Sequence, residues 1–186
     1  MGIAIAWEAS ERGARVILVL GPVEDITVCE GIDISHVVSA EEMAAETMKY
    51  FTDCDIAILT AAVADYTPES SSESKIKKKD QEMVIKLKPT IDIAAELGKI
   101  KKPGQLLAGF ALETDNEQMN AIDKLKRKNL DLIVLNSLKD KGAGFRYDTN
   151  KVTLIDKNNI IEKYELKSKS GIATDILNRI ETMINK

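Results

Sequence analysis

Apolar positions along this chain follow two alternating periods. Ile3, Ala6, Trp7 and Ser10 share one face at helical spacing, and Gly13 stands where a C-terminal cap belongs. Arg15 to Leu20 is an apolar run read as a buried strand, closed by Gly21-Pro22. Residues 32–38 alternate as a short strand. Ser39 and Glu42 then form a capping-box pair that opens a helix to about Phe51. Residues 54–60 follow as a strand whose core, Ile56-Ala-Ile-Leu59, carries no charge, the mark of a buried parallel strand.

Residues 61–82 show neither period and predict a long loop, a feature that in compact domains is functional or disordered. Met83 to Leu87 alternates like a strand. Asp92 can cap a helix through about Leu97, and Lys99 to Gly104 reads as a turn. Gln105 to Ala111 is a buried strand. Asn116 to Lys128 is a helix with Met119, Ile122 and Leu125 on one face, and Asp131 to Leu135 is another buried strand. A second long loop, 136–150, carries Gly142 and Gly144. Residues 151–156 and 159–164 pair as a hairpin about Lys157-Asn158, and a helix from about Gly171 to Ile184 ends the pattern. Helices alternating with charge-free strands predict a Rossmann-like three-layer α/β sandwich, mostly parallel, with a C-terminal hairpin, in one domain spanning residues 1–186.

Composition narrows the possibilities. With 186 residues, 44% hydrophobic and 30% charged, the chain can build a full sheet and core. A net charge of −4 argues against general nucleic-acid binding, yet basic residues cluster at 75–79, 99–102 and 124–128, so a local anion site is open. Cys29 and Cys54 are too few for a disulfide framework and are expected as reduced thiols. His36, the lone histidine, reads as a strand residue. No apolar run reaches the length of about 20 residues that crosses a membrane, and no basic segment opens a signal peptide, so the expected location is the cytoplasm.

The candidate chemistry sits where strands end. In open α/β sheets ligands bind beyond the carboxyl ends of the strands. There the charge-free strand runs into small residues, Ala61 and Ala62, then Asp65 and Tyr66, then Lys75-Ile-Lys-Lys-Lys79 on the loop. Phe110 and Glu113 close another strand and Asn136 a third. Lys124 and Lys128, one turn apart on a helix, can converge on phosphates with Lys75. Each feature has a plainer reading: lysine runs as solvated faces, Asp65 as a turn residue, Phe110 as core. The phosphate loop Gly-x-x-x-x-Gly-Lys-Ser/Thr and the dinucleotide turn Gly-x-Gly-x-x-Gly are missing from the sequence. Gly142-Ala-Gly144 lacks the third glycine, which weakens a dinucleotide oxidoreductase, and Ser70-Ser-Ser72 has no histidine partner for a hydrolase. The residues alone therefore establish an α/β protein with an anion site.

At these same residues the sequence resembles the phosphopantothenoylcysteine synthetase (phosphopantothenate–cysteine ligase) family. The matching segments are Gly2-Ile-Ala-Ile-Ala, Gly13-Ala-Arg-Val with Gly21-Pro22, Ala61-Ala-Val-Ala-Asp-Tyr66, Lys75-Ile-Lys-Lys78, Gly109-Phe-Ala-Leu-Glu-Thr114, Lys128-Asn-Leu-Asp-Leu-Ile133 and Asn136. The resemblance implies a CTP-dependent ligase of coenzyme A synthesis. CTP would activate 4′-phosphopantothenate as an acyl-cytidylate, releasing pyrophosphate, and L-cysteine would then displace CMP. It further implies that Leu59, Thr60 and Ala61 present backbone groups to the cytosine and that Asp65 lies in the nucleotide site. Lys75 would contact the triphosphate as the catalytic lysine of a closing loop. Ile91, Asp92, Ile93, Ala94 and Phe110 would line the pocket, and Lys124 and Lys128 would touch the nucleotide. Mg²⁺ is expected with CTP and a homodimer as the assembly. FMN is expected only in a decarboxylase domain fused upstream. The family carries a first strand and an Asn-x-Ser-Ser-Gly-Lys segment ahead of the point matching Met1-Gly2, so the chain is expected to lack them. Loss of that segment would leave a nucleotide-binding fragment without turnover as the alternative. The Asn-Pro pair that often precedes the family's pocket aspartate is not present before Asp92.

Overall fold

The computed structural model describes residues 1–23, 31–72, 74–78, 82–137 and 147–185. Cys29, Lys79, Gly142 and Gly144 lie outside them. Five helices are described: α1 (Gly2–Glu11), α2 (Ala40–Phe51), α3 (Ile93–Ile100), α4 (Glu117–Arg127) and α5 (Lys169–Ile184). The longer strands are β1 (Val16–Leu20), β2 (Ile32–His36), β3 (Ile56–Leu59), β6 (Leu106–Glu113), β7 (Leu132–Ser137), β9 (Val152–Asp156) and β10 (Ile161–Lys163). Short ribbons are formed by β4 (Tyr66–Pro68) with β5 (Leu87–Pro89), and by β8 (Thr149–Asn150) with β11 (Lys167–Ser168).

The central sheet runs β10-β9-β7-β6-β3. Strands β3, β6 and β7 are parallel, and the β9–β10 hairpin joins antiparallel to β7. Strands β1 and β2 pair in parallel as a sheet of their own. Among the described residues, β1 pairs only with β2 and β3 only with β6, so each keeps one unpaired edge.

Period-2 alternation sorts the sheet's side chains into two cores. Leu106, Ala108, Leu132, Val134, Val152 and Leu154 pack with Ile5 of α1 and with Ile172, Ile176 and Ile180 of α5. Leu107, Ala111, Ile133, Leu135 and Ile155 face the other way, against Ala44 and Phe51 of α2, Ile93 and Leu97 of α3, and Ala121 and Leu125 of α4. Each fully buried Leu or Ile contributes about 1.5–3 kcal/mol relative to exposure. The three-layer arrangement is thus α1/α5, sheet, α2/α3/α4.

Helix ends follow their residues. Ser39 accepts from Glu42 N–H while the Glu42 carboxylate accepts from Ser39 N–H, completing the capping box. At the end of α1, Gly13 takes φ +84°, with Gly13 N–H donating to Ser10 and Ala14 N–H to Ala9, a Schellman closure. Asn129 does the same for α4 at φ +51°, with Leu130 N–H donating to Leu125.

Four expectations are corrected. Trp7 is 51% exposed, and Ile5 and Ala6 carry the buried face of α1. Met119 is 67% exposed; α4 buries Ala121 and Leu125, whose i,i+4 spacing suits a short helix laid flat on the sheet. Met83-Val-Ile85 is exposed and unpaired, and the strand is Leu87–Pro89, paired with Tyr66–Pro68 inside the segment expected as loop. Arg15 lies outside β1 and is exposed. His36 is a strand residue at the end of β2, and Cys54 a half-buried free thiol.

Candidate functional site

Of the residues singled out by sequence, Thr60 and Asp65 follow β3, and Phe110 and Glu113 lie in the second half of β6. Strand β3 ends at Leu59, and Thr60 follows against the first turn of α1: a Cβ built on Gly2 would fall 2.6 Å from Thr60 Oγ1. Only glycine lets α1 approach that closely. The chain then leaves the sheet, and its return is clamped. Thr90 N–H donates to the Asp65 carbonyl at 2.9 Å and Thr90 Oγ1 to the Ala64 carbonyl at 2.6 Å. With the β4–β5 ribbon, these bonds place Asp65 beside the segment Ile91 to Ala94.

Asp92 N-caps α3 through Ala95 N–H (3.2 Å) and also accepts from Lys128 Nζ at 2.9 Å. Burial raises its carboxyl, but the bonds from Lys128 and Ala95 outweigh that and hold it below the ordinary carboxylate value. Ile93 is buried and Ala94 packs against the α2/α3/α4 core, so of this segment only Ile91 and Asp92 are exposed. Lys124, on α4, pairs with Glu113 at 2.5 Å. Both lysines expected to meet phosphate are thus held by carboxylates from different elements.

Alternation along β6 divides the site. Phe110 packs against the α1/α5 core. Glu113, three residues on, turns to the α4 side and meets Lys124 and Asn120. Thr60 and Phe110 therefore lie on one side of the sheet's edge, and Asp92, Lys124 and Lys128 on the other. Leu59 packs with the second group. A ligand touching all of them straddles the edge. Lys75 is exposed on the arm, with no hydrogen bond or ion pair to the other site residues among those described. Asn136, in β7, is bound by Asn150 Nδ2 at 3.3 Å.

Two residues that shape the site, Thr90 and Gly98, were not singled out by sequence, and Gly2 was matched there without a role. A Cβ at Gly98 would fall 2.0 Å from the Lys128 carbonyl oxygen, so α3 lies directly on the end of α4. Asn129 Nδ2 donates to the Gly98 carbonyl at 2.8 Å, and Lys101 Nζ to the Asn129 carbonyl at 2.6 Å. The available signal was a glycine inside an otherwise good helix, which costs about 1 kcal/mol against alanine and marks close packing. Among the described residues no three His, Cys, Asp or Glu side chains gather to hold a metal ion, and no helix is long and apolar enough to cross a membrane.

A mostly parallel sheet covered by helices on both faces defines a three-layer α/β protein of the Rossmann-like class. The chain belongs to the family described as the DNA/pantothenate metabolism flavoprotein C-terminal domain, which matches residues 1–184. It is 58% identical to a prokaryotic cysteine/cysteine sulfinic acid decarboxylase, over 100% of this chain and 52% of that protein. It is 43% identical to the coenzyme A biosynthesis bifunctional protein CoaBC of Bacillus subtilis (strain 168), over 98% of this chain and 45% of that one. The chain thus spans about half the length of these relatives. Its structure matches a crystal structure of the C-terminal domain of CoaBC with a TM-score of 0.82 and 35% identity, covering 99% of this chain and 82% of that one.

Proposed function

We propose that this chain is the ligase part of a coenzyme A biosynthesis enzyme, joining 4′-phosphopantothenate to L-cysteine at the expense of CTP. The observation that supports the reading is the placing of Thr60 and Asp65 after β3, with the pairs Lys124–Glu113 and Lys128–Asp92 beside β6, in a chain whose family includes CoaBC.

The substrate carboxylate attacks the α-phosphate of CTP, forming an acyl-cytidylate and releasing pyrophosphate. The cysteine amine then attacks the acyl carbon, the amide forms, and CMP leaves with the bonding electron pair. Backbone groups of Leu59, Thr60 and Ala61 read the cytosine, with Phe110 behind them. Asp65 and the turn Ile91-Asp92 border the nucleotide. Lys75, Lys124 and Lys128 offset the charge that develops on the departing pyrophosphate. Mg²⁺ bound to the triphosphate would supply further charge neutralisation there. The exposed arm carrying Lys75 is suited to close over the acyl-cytidylate and exclude water. We assign the enzyme to the cytoplasm as a homodimer, fused to a flavin-dependent decarboxylase domain. The unpaired edges of β1 and β3 support a further strand between them.

The test is pyrophosphate release by the full-length protein. Release that requires both CTP and phosphopantothenate is the expected result; release with ATP in place of CTP, and none with CTP, overturns the cytosine assignment. The 58% relative favours a second reading, in which the parent protein decarboxylates cysteine or its sulfinic acid and this part only binds. Carbon dioxide released from cysteine without CTP, together with no ligation product, would select it.

A further inference from the structure

We propose that Glu113 is the positioning residue for Lys124, setting where that lysine's ammonium waits for an anion; this rests on the nucleotide reading above. Glu113 is the last residue of β6, and the ladder to Ser137 fixes its backbone. Its side chain is 12% exposed and lies along α4. Oε2 accepts from Asn120 Nδ2 at 3.3 Å, and Oε1 lies 2.5 Å from Lys124 Nζ. Asn120 and Lys124 are spaced i,i+4, so one carboxylate spans one helical face.

The contact with Lys124 has an unusual character. Glu113 Oε1 is buried and accepts no directed hydrogen bond, although the ammonium is within ion-pair distance. A buried carboxylate oxygen needs a nearby positive charge, so Lys124 is retained there electrostatically. With one side of the ammonium facing Glu113, the other N–H donors of Lys124 can serve further acceptors. Its side chain is 39% exposed, which leaves a path for a phosphate oxygen. Lys128 differs: its partner Asp92 is 47% exposed, and their contact is a directed hydrogen bond. Of the two lysines, Lys124 is therefore the more exposed one and is held by the more buried carboxylate.

A misplacement of about 1 Å in a positioned group can cost about a hundredfold in rate. Glu113→Gln removes the anchoring charge and preserves the shape. In the full-length protein it is expected to lower kcat/KM for CTP roughly tenfold or more in pyrophosphate release. If Glu113 acts through Lys124, the same substitution made on Lys124→Gln adds little further loss. Glu113→Asp, which keeps the charge, should recover part of the rate. CTP titration calorimetry on the same proteins reads the coupling without turnover. Unchanged kcat/KM in Glu113→Gln, or an equal loss with and without Lys124, overturns the proposal. Wild-type protein that neither binds CTP nor releases pyrophosphate refutes the nucleotide reading and this inference with it.

Discussion

At the amino ends of the parallel strands, Asp131 is 3% exposed and its carboxylate takes three donors: Lys101 Nζ at 2.8 Å, Leu107 N–H at 2.9 Å and Lys157 Nζ at 2.9 Å. At the carboxyl ends, Glu113 and Asp92 each face one lysine, and those lysines are more exposed than Lys101. The chemistry is the same, ammonium against carboxylate. At the first end every strong group is satisfied, and the cluster staples β6, β7 and the β9–β10 hairpin together. At the second, each carboxylate faces a single lysine. The amino end carries the more buried carboxylate, and the carboxyl end is where the proposed nucleotide site lies.

Asp131→Ala breaks the comparison hardest. It strips Lys101 of its charge partner and should cost about 3 kcal/mol or more in urea unfolding. Burial raises the Asp131 carboxyl, but the bonds from Lys101, Lys157 and Leu107 hold it below the ordinary value. A depressed carboxylate contributes stability above its unfolded value, about pH 4, and loses it as pH falls through the folded value. Acid unfolding should therefore begin at higher pH, and with a shallower slope, in the variant. A loss under about 1 kcal/mol would show that this end is not the staple described.

Gly98→Ala should cost about 1–3 kcal/mol, because α3 must shift off the Lys128 carbonyl. Since Asp92 and Lys128 sit on the two displaced elements, this variant should also weaken CTP binding. A stability loss with unchanged binding would separate the helix junction from the site. Lys75→Gln sharpens the contrast from the other side. An exposed lysine contributes within about 0.5 kcal/mol, so the melting temperature should hardly move while pyrophosphate release falls sharply. Normal release would remove Lys75 from the catalytic role.

Sequence made the regular elements legible because their signals are local. The Ser39–Glu42 box, the Asp92 cap and the Gly13 closure each lie within a few residues, and the structure contains all three. Charge-free Ile56–Leu59 and Leu132–Leu135 identified parallel strands for the same reason. The misplaced features depend on distant partners. The alternation of Met83-Val-Ile85 is a genuine period-2 pattern, yet no described strand pairs with it, and Pro68 and Pro89 end the two strands of the ribbon that does form. For the site, the residue types were legible and their pairing was not. That Lys124 meets Glu113 and Lys128 meets Asp92 follows from α3 and α4 flanking β6, and no spacing along the chain encodes it.

The two unpaired strand edges have a practical consequence. Strands β1 and β3 are charge-free and half-buried, without the lysines, prolines or bulges that blunt exposed edges. Backbone groups left open along such strands accept any extended segment, including one from another molecule. The 186-residue polypeptide prepared by itself should therefore self-associate through these edges, and a peptide offered in trans that occupies them should restore monodisperse behaviour.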